Sequence, residues 1–172
     1  MLLQRALIDR EGIAEYKQIS QTVYDDVLNA IILDAQIHDI AELLGEELFN
    51  DILVTTGNTY NDLLNGCTYV YNDITYHNYG LRACLAYYVY ARYQMFGGVV
   101  DTPFGLVEKL EGNESRPVSD KTKERLYQLN RDSAFAIWKS VENYLIRTNN
   151  VLFKKNRCIN KRNVSLSIRK IQ

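Results

Sequence analysis

The chain is poor in the residues that usually announce chemistry. It has two prolines, two histidines, three cysteines and one tryptophan in 172 residues. Two prolines exclude long Pro-rich linkers. Cys67, Cys84 and Cys158 have no metal-type spacing and are odd in number, so no disulfide framework is expected and folding in a reducing compartment is. Cys84, in an apolar stretch, should pack as a small hydrophobe. Neither His38 nor His77 has a Cys, His or carboxylate at ligand spacing. His38 and Asp39 are adjacent, which on a helix points them apart. Phosphate-binding GxxxxGK[ST] and GxGxxG loops are missing, as is a GxSxG elbow. Catalytic, cofactor and metal residues are therefore all expected to be none. The uncharged runs 52–61 and 63–72 fall far short of the roughly 20 residues a membrane span requires. The opening MLLQRALIDREG is interrupted by Arg5, Asp9 and Arg10, so no export signal is read there.

What is present is a globular composition, 47% hydrophobic and 24% charged, of a size for one domain. The net charge of −1 hides an asymmetry. Residues 151–172 carry Lys154, Lys155, Arg157, Lys161, Arg162, Arg169 and Lys170 with no acid, which leaves residues 1–150 at −8. Such a basic arm can dock on a neighbour's acidic body or on a polyanion, such as DNA phosphates. Val164, Leu166 and Ile168 alternate with polar residues, which predicts a strand in the arm and favours docking on a subunit.

The body reads as mainly helical. Residues 2–8 fit a short strand or arm, and Gly12 to Ser20 is weakly helical. Thr22 with Asp25 fits a capping box. Val27, Ile31, Ile37, Ile40, Leu44, Leu48 and Ile52 follow at helical spacing, with Asp34, Asp39, Glu42, Glu46 and Glu47 opposite. Gly45 should kink or divide this run. Thr55 to Asn58 reads as a turn and Tyr60 to Leu64 as a short helix at most. CTYVYNDITYHNYG predicts a small hairpin turning at Asn72-Asp73. Gly80 to Phe96, charged only at Arg82 and Arg92, predicts a central helix. Residues 97–118 form a long irregular loop, apolar at Phe104, Leu106, Val107 and Leu110. Ser119 then caps a long helix whose face is Leu126, Leu129, Ala134, Ile137, Val141 and Leu145, with Trp138 beside it, ending near Asn149-Asn150. The expected fold class is a helical bundle with a long irregular loop, a small β-hairpin and a C-terminal strand or arm. Residues 1–150 are the helical domain; 151–172 belong to it or dock on a neighbour.

Nine of the 13 tyrosines lie between Tyr60 and Tyr93. Tyrosine buries a large ring with one polar handle, which suits both an interface and the edge of a core. Tyr69, Tyr71, Tyr76, Phe104, Leu106, Val107, Val164, Leu166 and Ile168 are the candidate contacts with another subunit.

Three strings resemble one known family: DAQIHDIAELLGEELFNDIL (Asp34 to Leu53), LRACLAYYVYARY (Leu81 to Tyr93) and VDTPFGLVEKLEGNESRPVS (Val100 to Ser119). In their order the chain is similar to the small head–tail connector (adaptor or neck-ring) proteins of tailed bacteriophages, particularly those of crAss-like phages of gut Bacteroidales. The resemblance covers about residues 35–150. It implies a mainly helical virion protein, assembled in the host cytoplasm, that forms a ring, typically of 12 copies, beneath the portal. Its partners would be the portal protein, a tail or second neck protein, and DNA passing without sequence-specific contacts; no membrane is implied. No catalytic residue carries over. Rival expectations are another neck or tail-completion protein, or a small phage DNA-binding regulator that uses the basic arm.

Overall fold

The computed structural model describes residues 5–21, 23–96, 99–102, 105–108 and 118–154, and of 99–102 and 105–108 the backbone alone. In chain order these residues form α1 (Arg10–Ala14), α2 (Asp25–Ala35), a π-helical turn (Gln36–Ile40), α3 (Ala41–Leu44), α4 (Glu46–Val54), α5 (Asn61–Asn65), β1 (Cys67–Tyr71), β2 (Ile74–Asn78), α6 (Leu81–Phe96), β3 (Val99–Thr102), β4 (Gly105–Glu108) and α7 (Asp120–Arg147). The fold is mainly helical with a small β1–β2 hairpin, as the residue pattern predicts; the expected C-terminal strand lies outside the described residues.

The acidic run from Asp25 folds as α2, the π turn and α3 in unbroken succession. It starts differently from expectation: its N-cap is Tyr24, which makes no side-chain capping bond, and Thr22 lies outside the described residues. Its buried face also differs. Leu28, Ile32, Gln36, Ile40 and Leu44 point inward, four residues apart each time. A straight α-helix over-rotates by about 40° over four residues, so that stripe would wind off the core. The wider π turn takes up part of the drift. Val27 and Ile37, expected inside, are 50% and 41% exposed, while Asp39, expected in solvent, is 5% exposed. Gly45, at φ +81°, separates α3 from α4 as expected; that backbone conformation favours glycine. Leu48 and Ile52 of α4 return to the core.

Chain entry is tied to the same π turn. Leu7 and Ile8 are buried, and the Leu7 N–H donates to Gln36 Oε1 at 2.6 Å while Gln36 Nε2 donates to the Arg5 carbonyl at 3.1 Å. The weak helical signal at 12–20 condenses to the single turn α1, capped by Asp9, which accepts from the Gly12 N–H at 2.8 Å.

α6 is the central helix. Leu81, Ala83, Cys84, Leu85, Ala86, Tyr88, Val89 and Ala91 are buried, and α1, α2, α5 and α7 pack around it. It runs antiparallel to α7: the Tyr79 N–H meets Ser140 Oγ at 3.3 Å, the Cys84 thiol donates to the Ala134 carbonyl at 3.3 Å, and Asn130 Nδ2 donates to Gln94 Oε1 at 2.9 Å. Alanine and cysteine on α6 allow the close approach. Burial pushes the Cys84 thiol pKa well up, so it packs as the small hydrophobe expected.

Ser119 caps α7, its Oγ accepting from the Thr122 N–H. The helix has 28 residues, about 42 Å at 1.5 Å per residue, against about 24 Å for α6. Ala134, Trp138, Val141 and Leu145 are buried as expected. Leu129 is 60% exposed, contrary to expectation; its neighbour Asn130 takes the inward place, satisfied by Gln94 and the Leu126 carbonyl. α7 stops at Arg147, with Asn149 at φ +52°.

The predicted hairpin pairs Tyr69 with Tyr76 and Tyr71 with Ile74, and turns on Asn72 and Asp73 at φ +49° and +62°, the left-handed pair that matches strand twist. The segment expected to be an irregular loop contains a second antiparallel pair, with Val100 opposite Val107 and Thr102 opposite Gly105. The Gly and Pro breakers masked three β-forming valines, Val99, Val100 and Val107. The packed body also extends past residue 150: Leu152 and Phe153 lie on the core, and Phe153 meets Trp138 edge-on at 6.2 Å.

Candidate functional site

Two arginines on α7 organise the side chains that stand out from ordinary core. Near its middle, Arg131 Nη1 donates to Asp39 Oδ1 at 2.7 Å, and Arg92 Nε from α6 donates to Asp39 Oδ2 at 2.9 Å. Arg92 also reaches Asp34 at 3.4 Å. The π turn supplies the carboxylate, the central helix one guanidinium and α7 the other. Arg131 further donates to the Tyr127 hydroxyl at 3.1 Å and lies 5.2 Å from the Tyr88 ring centre. Burial opposes the Arg131 charge, but Asp39 outweighs it and the pKa moves up. Burial raises the Tyr88 phenol strongly. Both Asp39 oxygens are occupied by cations, so this carboxylate holds three elements together.

At the C-terminal end of α7, Arg147 meets the hairpin. Its guanidinium lies 3.8 Å from the Tyr76 ring centre and 5.5 Å from that of Tyr71, and Nη1 donates to the Tyr69 hydroxyl at 3.1 Å. Tyr69 stacks on Tyr76 at 5.8 Å and meets Tyr144 edge-on at 5.1 Å. Tyr69, Tyr71 and Tyr76 are thus gathered onto their own α7. The opposite face of the hairpin is outward, with Val70 70% exposed; Ile74 at the turn is 55% exposed.

The other predicted contacts divide as follows. Leu106 and Val107 lie in β4, opposite Asp101 and Val100. Phe104, Val164, Leu166, Ile168, Lys155, Arg157, Lys161, Arg162, Arg169 and Lys170 lie outside the described residues. Lys154, the last described residue, pairs with Glu47. His38 is exposed on its helix, 3.7 Å from Asp34, and His77 is exposed in β2, 3.3 Å from the Thr68 hydroxyl. Among the described residues no group of three or more His, Cys, Asp or Glu could hold a metal ion, and no helix is long and apolar enough to cross a membrane. A cleft of about 440 Å³ lies between the entry segment, α1 and α6. The Arg82 guanidinium beside it is engaged by the Leu7 carbonyl and Asn65.

Asp39, Arg92, Arg131 and Gln36 escaped the sequence reading. The available signal was Arg92, one of only two charges on an otherwise apolar helix, which demands a buried acid.

The described residues make a mainly helical body, braced by internal ion pairs and carrying outward apolar side chains. The chain belongs to DUF6712, a family of unknown function, which matches residues 40–163. No curated protein and no solved structure matches it.

Proposed function

We propose that this chain is a structural virion protein, a subunit of the ring that joins portal to tail, extends the DNA channel and holds packaged DNA. One observation carries the reading. The body fixes its inner charges internally yet leaves large apolar side chains outward in separate places: Val70 and Ile74 on the hairpin, Leu129 and Phe135 on α7. A closed heterologous ring requires two different surfaces on each subunit, and apolar side chains on separate surfaces suit it. β3–β4 adds support. It sits between α6 and α7, and its backbone makes no substantial contact with another described element. A two-stranded hairpin alone is marginal in water, so a neighbouring copy is its natural support. The resemblance to crAss-like phage connectors gives the ring its place between portal and tail.

Cryo-electron microscopy of virions, or of the chain co-expressed with its portal protein, tests this. The expected result is a ring stacked on the portal, with residues 97–118 reaching the adjacent copy. Density for this chain elsewhere in the neck would move the assignment to a tail-completion protein. Absence from the virion would overturn the structural reading. It would favour a DNA-binding regulator, for which the seven basic residues of 151–172 speak. That rival requires DNA affinity that falls with salt and is lost on deleting 151–172.

A further inference from the structure

Residues 25–54 carry eight carboxylates and no Lys or Arg, and residues 155–172 carry six Lys or Arg and no carboxylate. Cations from elsewhere in the fold satisfy part of the acidic run: Arg10 takes Asp25, Arg92 takes Asp34, Arg92 and Arg131 share Asp39, and Lys154 takes Glu47. Asp26, Glu42 and Glu46 are exposed and pair with no cation among the described residues. On the same outer side of the α2–α3 helix, Val27 is 50% and Ile37 41% exposed, and Tyr24 before it is 78% exposed. This helix face is both apolar and acidic, and no described element covers it.

We infer that residues 155–172 of the same copy strap across that face. The chain leaves the described body at Lys154, already seated on Glu47 at the start of α4, across the Gly45 break from Glu42. From Asp25 to Leu44 the helix is about 30 Å long, whereas 18 extended residues reach up to about 60 Å, so the segment spans the face with length to spare. Val27 and Ile37 are ten residues apart, about 15 Å along the helix, and Val164 to Ile168 would cover about 13 Å if extended. The apolar side chains then meet Val27 and Ile37, and the flanking bases meet Asp26, Glu42 and Glu46. The short tether gives the segment an effective concentration near the millimolar range at its own face, which favours the same copy over a neighbour. The inference does not rest on the connector reading, and it stands or falls separately.

The test is carbodiimide cross-linking of the full chain, as an equal mixture of unlabelled and ¹⁵N-labelled protein, read by mass spectrometry. The Lys154–Glu47 link is the internal standard. Links from Lys155, Lys161 or Lys170 to Asp26, Glu42 or Glu46 are expected within one isotope label. They should fall about tenfold from low to molar salt, as screening between exposed charges predicts. The double variant Glu42→Lys with Glu46→Lys, both exposed, removes two acceptors outright, so the readout is the link to Asp26, which should fall several-fold while the standard stays in place. Mixed-label links would overturn the inference by giving the face to a neighbour's segment. A strong standard with no link beyond Lys154 would overturn it outright, as would links indifferent to salt and to the charge reversal.

Discussion

α7 is held at its middle and at its C-terminal end by the same residue type in opposite ways. Arg131 is locked to a buried carboxylate shared with a second guanidinium, and nothing apolar could take its partner's place without stranding charge. Arg147 faces tyrosine rings and one phenol oxygen, in a part-exposed setting where water can replace whatever is lost. The first contact specifies how three elements meet. The second presses a hairpin onto a helix end. The difference lies in dielectric surroundings: desolvated charge makes an interaction obligatory, whereas a ring face over a wet guanidinium makes it helpful.

The largest effect should come from Asp39→Ala, which leaves Arg92 and Arg131 facing each other without their acid. A loss of about 3–5 kcal/mol in urea unfolding is expected; a loss under about 1 kcal/mol would mean water already satisfies the site. The contrast sharpens if Asp39→Leu, Arg92→Met and Arg131→Leu are made together. The triple variant should be more stable than Asp39→Ala alone, because no charge is left stranded. Next is Tyr76→Leu, which keeps an apolar contact but removes the ring from Arg147 and Tyr69. About 1 kcal/mol should be lost, with amide exchange rising in the β1–β2 hairpin before the rest of the fold. A whole-molecule destabilisation as large as that of Asp39→Ala would erase the distinction between the two contacts.

The smallest effect is a titration away from both. The Tyr60 phenol is pushed up to about 12, by burial first and then by its hydrogen bond to Asp51. The unfolded chain ionises near the ordinary value of 10, so the Tyr60 contribution is complete below that pH and is lost as pH rises through 12. Tyr60→Phe should flatten this alkaline limb in unfolding curves taken between pH 9 and 12. An unchanged limb would assign it to other tyrosines.

Much of the fold was legible because hydrophobic periodicity and chain punctuation are local. Gly45 divides helices, Asn72-Asp73 turns a hairpin and Ser119 caps α7, each for a reason contained within a few residues. The breaker-rich 97–118 segment hid β3–β4, because two short apolar pairs leave no period to read. At the candidate site the tyrosines were legible as a group but not their direction. Tyr69 and Tyr76 turn toward Arg147, 71 or more residues away, and Val70 and Ile74, legible as hairpin residues, turn outward.

By itself the sequence determined the helical class, the central place of α6, the first hairpin and the segregation of charge, since these follow from residue type and spacing. Only the tertiary structure decided that Asp39 goes inside and Val27 and Ile37 outside. A π turn resets the helical register at Gln36–Ile40, and its cost is met by partners on α6, α7 and the entry segment, none of them near it in sequence.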